Sequence, residues 1–235
     1  DYYEGVGQNW ERAAFIKARA MLGDRAAGRE FLEALVPFVW RRSLDYQAIL
    51  DVQSIKRQIH VHKTGEGLEA AGATVVPLEF PEIREALDLT AVLYCGEAYG
   101  IWREVIEANP DLMFAEILER FRAGRLFSAP DFAAGWLRLT QIRKSYEQAV
   151  AGYDAVLLPT SPILPANLER LSRDHDYYVA VNLLALRNTR IGNLLGLCAL
   201  TLPAGTPSCG ISLMASPGQD AALLRLGAAA EKALA

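Results

Sequence analysis

The reactive side chains of this chain fall into a few short groupings. His60 and His62 are separated by one residue and followed by Lys63. Imidazoles bind divalent metals, but positions i and i+2 do not share a helix face and no third ligand lies nearby, so the pair reads as a solvated helix end and no metal site is assigned. Lys63-Thr64-Gly65-Glu66-Gly67 has the residue types of a phosphate loop in the wrong order, because that cradle needs its glycines before the lysine; it reads as a linker. Arg41, Arg42, Lys56 and Arg57 are suited to phosphates, yet the net charge is −4 and no aromatic-rich RNA-binding motif accompanies them, so solvated helix faces explain them and no nucleic-acid partner is expected. Cys198 and Cys209 flank a strand pair, where packing is the simpler account than reactivity.

Two further groupings are candidates for contact with a small molecule. Thr160 and Ser161, within Pro159-Thr160-Ser161-Pro162, offer hydroxyls at a strand-to-loop transition, where α/β sheets gather ligands; the alternative is a proline-pinned turn that satisfies its own backbone. Arg187, Asn188, Arg190 and Asn193 form a polar patch ahead of an apolar strand. Arg187 or Arg190 could hold a carboxylate, while Asn188 and Asn193 read as readily as turn and cap residues. No Gly-x-Ser-x-Gly elbow exists, and a serine without an adjacent base is a weak nucleophile, so no catalytic residue is assigned.

The elements that must position these groups follow from periodicity and punctuation. Residues 28–42 place Phe31, Leu35, Phe38 and Val39 at helical spacing with Pro37 as a kink, and residues 45–62 carry Ile49, Val52, Ile55 and Ile59 as one stripe of a second helix. Residues 67–71 read as a helical turn stopped by Gly72, and residues 74–80 as a strand given edge character by Pro77. Helices are predicted over 81–109 and 111–122, the latter with Phe114, Ile117, Leu118 and Phe121 on one face, and both are expected to pack on a sheet. Ser128-Ala129-Pro130-Asp131 is a capping box that opens a helix repeating Phe132, Trp136, Leu139 and Tyr146, up to about Gly152. Strands are predicted over 154–158, 199–203 and 210–215, and Ser216-Pro217-Gly218-Gln219 caps a last helix with Leu223, Gly227, Ala230 and Leu234 inward. The fold class is therefore α/β.

Composition excludes other classes. Of 235 residues, 51% are hydrophobic and 22% charged, with 18 Gly and 11 Pro, too apolar for a disordered chain and too poor in Gly and Pro for low complexity. Three cysteines are too few for a disulfide framework, which makes a reducing, cytoplasmic setting the expectation, and neither a signal-type start nor a run of membrane-spanning length is present, so no membrane partner is expected. Residues 1–63 carry 10 Lys and Arg against 8 Asp and Glu, while residues 64–235 carry 14 against 20. The sign of the charge balance changes there, where a domain boundary is placed, giving domains 1–63 and 64–235.

Two resemblances meet at that boundary. Gly67-Leu68-Glu69-Ala70-Ala71-Gly72-Ala73-Thr74-Val75-Val76, Phe127-Ser128-Ala129-Pro130-Asp131-Phe132 and Tyr153-Asp154-Ala155-Val156-Leu157-Leu158-Pro159-Thr160-Ser161-Pro162 resemble, in order, segments of the C-terminal part of the amidase signature family. Asn188 to Pro203, Gly210 to Leu213 and Leu223 to Gly227 resemble that family's closing strands and terminal helix, so that about 170 residues are covered. The resemblance implies part of a mixed sheet flanked by helices, and hydrolysis of an amide C–N bond by a serine activated through a cis-serine and a lysine. The Gly/Ser-rich loop and lysine that would supply this chemistry have no counterpart in residues 1–235. In the first 63 residues, Tyr2-Tyr3-Glu4, Gly7 to Ala14, Ile16 to Arg19, Pro37 to Arg42 and Ser54 to His60 resemble the bifunctional adenylyltransferase and adenylyl-removing enzyme of glutamine synthetase, and read as a small, mostly helical segment. Ala20-Met21-Leu22 departs from that pattern, which has a proline beside the arginine. The metal-binding acids that this second resemblance implies are likewise not matched here.

The reading is a fusion of an adenylyltransferase fragment, residues 1–63, with an amidase C-terminal portion, residues 64–235. It is expected to be catalytically incompetent alone, with a small-molecule amide as the implied substrate and Thr160, Ser161, Arg187 and Arg190 as its contacts. No cofactor is expected. The expected partner is a second copy or an amidase N-terminal half; the alternatives are a non-catalytic interaction or remnant protein, and a fragment of an AMP-transferring regulator of glutamine synthetase.

Overall fold

A computed structural model describes residues 63–234. The predicted helices over 28–42 and 45–62, with Arg41, Arg42, Lys56, Arg57, His60 and His62, lie outside the described residues.

Residues 63–70 are helical (α1). Gly72, at φ 98°, ends this helix in the left-handed conformation that glycine adopts without penalty, and Ala73 N–H reaches back to Leu68 O at 3.0 Å. The strand predicted over 74–80 does not form. Residues 73–80 carry no regular secondary structure, because no strand among the described residues lies beside them, and a strand exists only as one member of a ladder.

From Ile83 onward the chain builds a helical layer. The predicted helix is present as α2 (Ile83–Asp88), a π-helical turn (Ala91–Cys95) and α3 (Gly96–Ala108). A 3-10 turn (Pro110–Leu112), α4 (Ala115–Arg122) and a second 3-10 turn (Ala123–Leu126) follow. These pieces pack mainly on one another and not, as periodicity suggested, on a sheet. Gly124 makes one of these contacts possible: its backbone lies so close to the π turn that a Cβ would stand 2.0 Å from Cys95 O. Helix α5 (Ala129–Ala149) begins at the predicted capping box, in which Ser128 Oγ accepts from Asp131 N–H at 3.2 Å while Asp131 Oδ2 accepts from Ser128 N–H at 3.0 Å. Its inward positions Leu139, Ile142 and Tyr146 form a core with Leu93 and Leu194, closed at one end by Phe80, whose ring meets Tyr146 edge-on at 5.4 Å.

Three strands form one sheet in the order β1-β3-β2, with β1 Val156–Pro159, β2 Cys198–Pro203 and β3 Gly210–Ala215. Both pairings are antiparallel, so the parallel strand pair of a mixed sheet is not among the described residues. Opposite β3, Leu213 stands between Leu157 and Leu200, and Ile211 between Pro159 and Leu202. The last helix, α9 (Asp220–Leu234), covers this face with the predicted Leu223, Gly227 and Ala230. Gly227 allows the approach, since a Cβ there would fall 1.9 Å from Leu200 Cδ2. Leu68 of α1 joins the same cluster.

Between β1 and β2 the chain inserts α6 (Leu168–Leu171), α7 (His175–Ala185) and α8 (Arg187–Leu195), helices that the turn-and-cap reading of this stretch did not foresee. Asn188 and Asn193 are thus helical residues, whereas α6 and α7 are capped by Asn167 and Asp174, whose side chains accept from Arg170 N–H and Tyr177 N–H. Helix α8 lies on the sheet's other face, where Gly192 leaves room for Met214. Gly196, at φ 71°, turns the chain from α8 into β2.

Candidate functional site

The corner at which β1 gives way to its loop gathers several hydroxyls. Thr160 N–H donates to Gly210 O at 3.0 Å, which extends the β1–β3 ladder by one residue and turns the threonine side chain across the sheet. Its Oγ1 lies 2.9 Å from Ser212 Oγ on the central strand, and Ser212 Oγ lies 3.0 Å from Thr201 Oγ1 on β2. A row of hydrogen-bonded hydroxyls therefore crosses all three strands. It runs from buried Ser212 to exposed Thr201, and its internal bonds satisfy a polar group that would otherwise destabilise the apolar face.

The loop after β1 is fastened from two sides. Asn188 Nδ2, buried on the first turn of α8, donates to Pro159 O at 2.7 Å. Ser161 Oγ donates to Ile163 O at 3.1 Å and accepts from Ile163 N–H at 3.4 Å, while Pro162 and Ile163 are buried beneath. The two candidate residues of this loop thus differ. Thr160 belongs to the hydroxyl row, and Ser161 to a self-bonded turn of the kind the proline-pinned reading describes.

The two arginines do not join this corner through any hydrogen bond of the described residues. Arg187 stands exposed at the start of α8. Arg190 is committed to the α7–α8 joint, where Nε donates to Leu186 O at 3.4 Å and Nη2 donates to Leu183 O, capping carbonyls at the end of α7. Burial lowers its pKa, with Arg120 and Arg187 adding like-charge repulsion against the opposing effect of Tyr94, but a guanidinium stays cationic throughout. Tyr94 is itself raised by burial. On α5, Tyr146 packs in the core, and burial pushes its phenol up to about 12.

Sequence reading missed Thr201, Ser212 and Asn188 as parts of this corner. Ser212 had one signal, a hydroxyl between Ile211 and Leu213 in a run that otherwise reads as fully apolar. A shallow pocket of about 310 Å³ lies elsewhere, between the end of α5 and the start of α9, lined by Glu147, Tyr153, Asp154, Ser216, Gln219 and Leu226. Among the described residues no group of three or more His, Cys, Asp or Glu is placed to hold a metal ion, and no helix is long and apolar enough to cross a membrane.

The helical layer, the three-stranded antiparallel sheet and the closing helix define an amidase-type fold. A crystal structure of an amidase superposes on 77% of this chain with a TM-score of 0.66 and 21% identity, and allophanate hydrolase of Kluyveromyces lactis on 76% with a TM-score of 0.67 and 21% identity. A family model described as Amidase matches residues 50–224, and the chain belongs to the amidase family. Its beginning has another affinity, for residues 1–34 match the model described as Glutamate-ammonia ligase adenylyltransferase. The bifunctional glutamine synthetase adenylyltransferase/adenylyl-removing enzyme of Caulobacter vibrioides is 64% identical over 73 residues, or 31% of this chain, and that of Brucella suis 60% identical over 84 residues, or 36%. The chain is thus a chimera of an adenylyltransferase segment and an amidase domain. It spans 7% and 8% of those two relatives, and 42% and 30% of the two solved structures.

Proposed function

We propose that residues 64–235 form the C-terminal, substrate-lining portion of an amide C–N hydrolase, and that this chain alone does not turn over amides because its serine nucleophile, cis-serine and lysine come from another amidase portion. The observation that carries this reading is the Thr160–Ser212–Thr201 row. These hydroxyls can exchange hydrogen bonds with an amide or with a neighbouring chain, but Ser212 bonds two other hydroxyls and no base, so nothing in the row raises its nucleophilicity. Oxyanion stabilisation and general-base activation together supply most of the acceleration in acyl transfer, and a hydroxyl row supplies neither. In this reading Thr160 and Ser161 shape the wall of the amide cleft, and Arg187, the more exposed arginine, meets any carboxylate the substrate carries. The adenylyltransferase-like segment contributes no AMP transfer.

The test is a panel of aliphatic and aromatic amides offered to the full chain alone and to the chain mixed with a separately expressed serine-bearing amidase portion. Turnover is expected only in the mixture. Turnover by the purified chain alone would overturn the proposal. A second reading, a non-catalytic interaction protein, is favoured by one observation, the exposure of Val75, Val76 and Leu78 on the segment that forms no strand.

A further inference from the structure

We infer that Asn188 is a positioning residue, which fixes the spacing between the hydroxyl corner and Arg187 and so sets the length of carboxylate-bearing amide that the cleft prefers; the inference rests on the function proposed above. One hydrogen bond joins the two places. Asn188 Nδ2 donates to Pro159 O at 2.7 Å, across 29 residues of chain. Pro159 is the residue before Thr160, and Asn188 the residue after Arg187. The bond therefore ties together the immediate neighbours of the two groups assigned to the amide and to the carboxylate of a substrate.

The Pro159 carbonyl needs a donor from outside the sheet. Thr160 N–H bonds Gly210 O on β3, and successive residues of a strand direct their N–H and C=O groups to opposite edges. Pro159 O thus faces away from β3, along the edge of β1 that has no strand beside it among the described residues. Asn188 is only 8% exposed, so an amide or carbonyl left over at this joint has little access to water, and leaving it unmade costs more than the bond itself contributes.

The helix side of the joint is pinned as well. Arg187 and Asn188 open α8, and on the same first turn Arg190 Nε donates to Leu186 O at 3.4 Å and Nη2 to Leu183 O, at the end of α7. Two anchors, one on β1 and one on α7, hold the turn that carries Arg187, whose own guanidinium makes no hydrogen bond or ion pair with another described residue. A turn that drifts relative to Thr160 admits carboxylates over a range of distances, whereas a pinned turn narrows that range. An asparagine that merely supported folding would affect every substrate alike.

The test uses the full chain mixed with the serine-bearing amidase portion and offers succinamate, glutaramate and adipamate, which differ by one methylene, with butyramide as the amide that lacks a carboxylate. For the parent, kcat/KM is expected to peak at one length, about tenfold above the others. Asn188→Leu, of similar shape without the donor, is expected to flatten that peak to within about threefold, through KM more than kcat. Arg187→Ala should remove the advantage over butyramide, and Asn188→Leu added to it should change the length profile no further, as two residues acting through one geometry require. Asn188→Ser, too short to span to Pro159 O, gives the same flattening and serves if circular dichroism shows that the leucine variant does not fold. A peak that survives in a folded Asn188 variant, a parent profile without a peak, or activity lowered equally on all the amides overturns the inference and leaves the proposed function standing. No turnover in the parent mixture overturns the proposed function, and the inference falls with it.

Discussion

Strand β3 and the segment 73–80 start from similar sequences and end differently. Gly210–Ala215 is paired on both sides, covered by α9 on one face and α8 on the other, and every residue from Ile211 to Ala215 is buried. Thr74-Val75-Val76-Pro77-Leu78-Glu79-Phe80 has the same β-branched and apolar character, yet it remains unpaired, and only Phe80 at its end is drawn into the core, against Tyr146. Composition makes a segment ready to be a strand; a neighbour at ladder distance makes it one. A site assembled on the paired region is rigid and internally satisfied. The unpaired region keeps its hydrogen-bonding capacity for something else.

The sharpest way to break this comparison is to delete apolar volume at the centre of the sheet. Ile211→Ala, at a side chain with no exposed surface, is expected to lower unfolding stability by about 2–5 kcal/mol in urea titration; a change below 1 would show that the sheet is less consolidated than described. Next comes the hydroxyl row. Ser212→Ala removes the shared partner of Thr160 and Thr201 and should cost about 1–2 kcal/mol, more than Thr201→Ala, because exposed Thr201 can turn to water and buried Ser212 cannot. Equal effects would refute a row anchored at its centre.

Acid titration separates the helical layer from the sheet. Arg138 beside Glu85 and Arg122 beside Glu107 hold both carboxyls below the usual value of 4.5, each chiefly through side-chain hydrogen bonds. A carboxylate whose folded pKa is depressed contributes stability that is fully present above its unfolded pKa and is lost as pH falls through the lower, folded one. A modest weakening is therefore expected as pH drops below about 4.5, carried by the ion pairs of Glu85 and Glu107, and it should shrink in Glu85→Gln and Glu107→Gln. Both carboxylates are exposed, so the effect is small and declines with added salt. The smallest effect belongs to the unpaired segment. Val76→Thr should change stability by less than about 0.5 kcal/mol, since the side chain is half exposed and the replacement is nearly isosteric, and a larger loss would mean that this segment is already paired in solution.

Much of this was legible in the residues. Ser128 and Asp131 three positions apart announced the start of α5, and Leu223, Gly227 and Ala230 at helical spacing gave the face of α9 that meets the sheet. The β2 and β3 spans were readable within a residue from their apolar runs and the intervening Ala204-Gly205-Thr206-Pro207 turn. Helix α8 was not, because Asn188, Thr189, Gly192 and Asn193 are weak helix formers, and the helix is held by packing on Met214 and joined to α7 by Arg190, which caps the end of α7. The candidate corner was half visible: Thr160 and Ser161 sit on a proline-marked turn, but Asn188, Thr201 and Ser212 reach it from 28, 41 and 52 residues beyond Thr160, distances in sequence that no local pattern spans.

The amino-acid sequence by itself determined the family of each part, the caps and the inward faces of the long helices, because these depend on residues within a few positions of one another. Tertiary structure alone decided that Ser212 shares its hydroxyl with two other strands, that Arg190 serves a helix end, and that 74–80 stays unpaired. Each of those outcomes depends on which distant backbone comes within hydrogen-bonding reach, and a hydrogen bond acts only over about 3 Å, however strongly the local residues prefer one conformation.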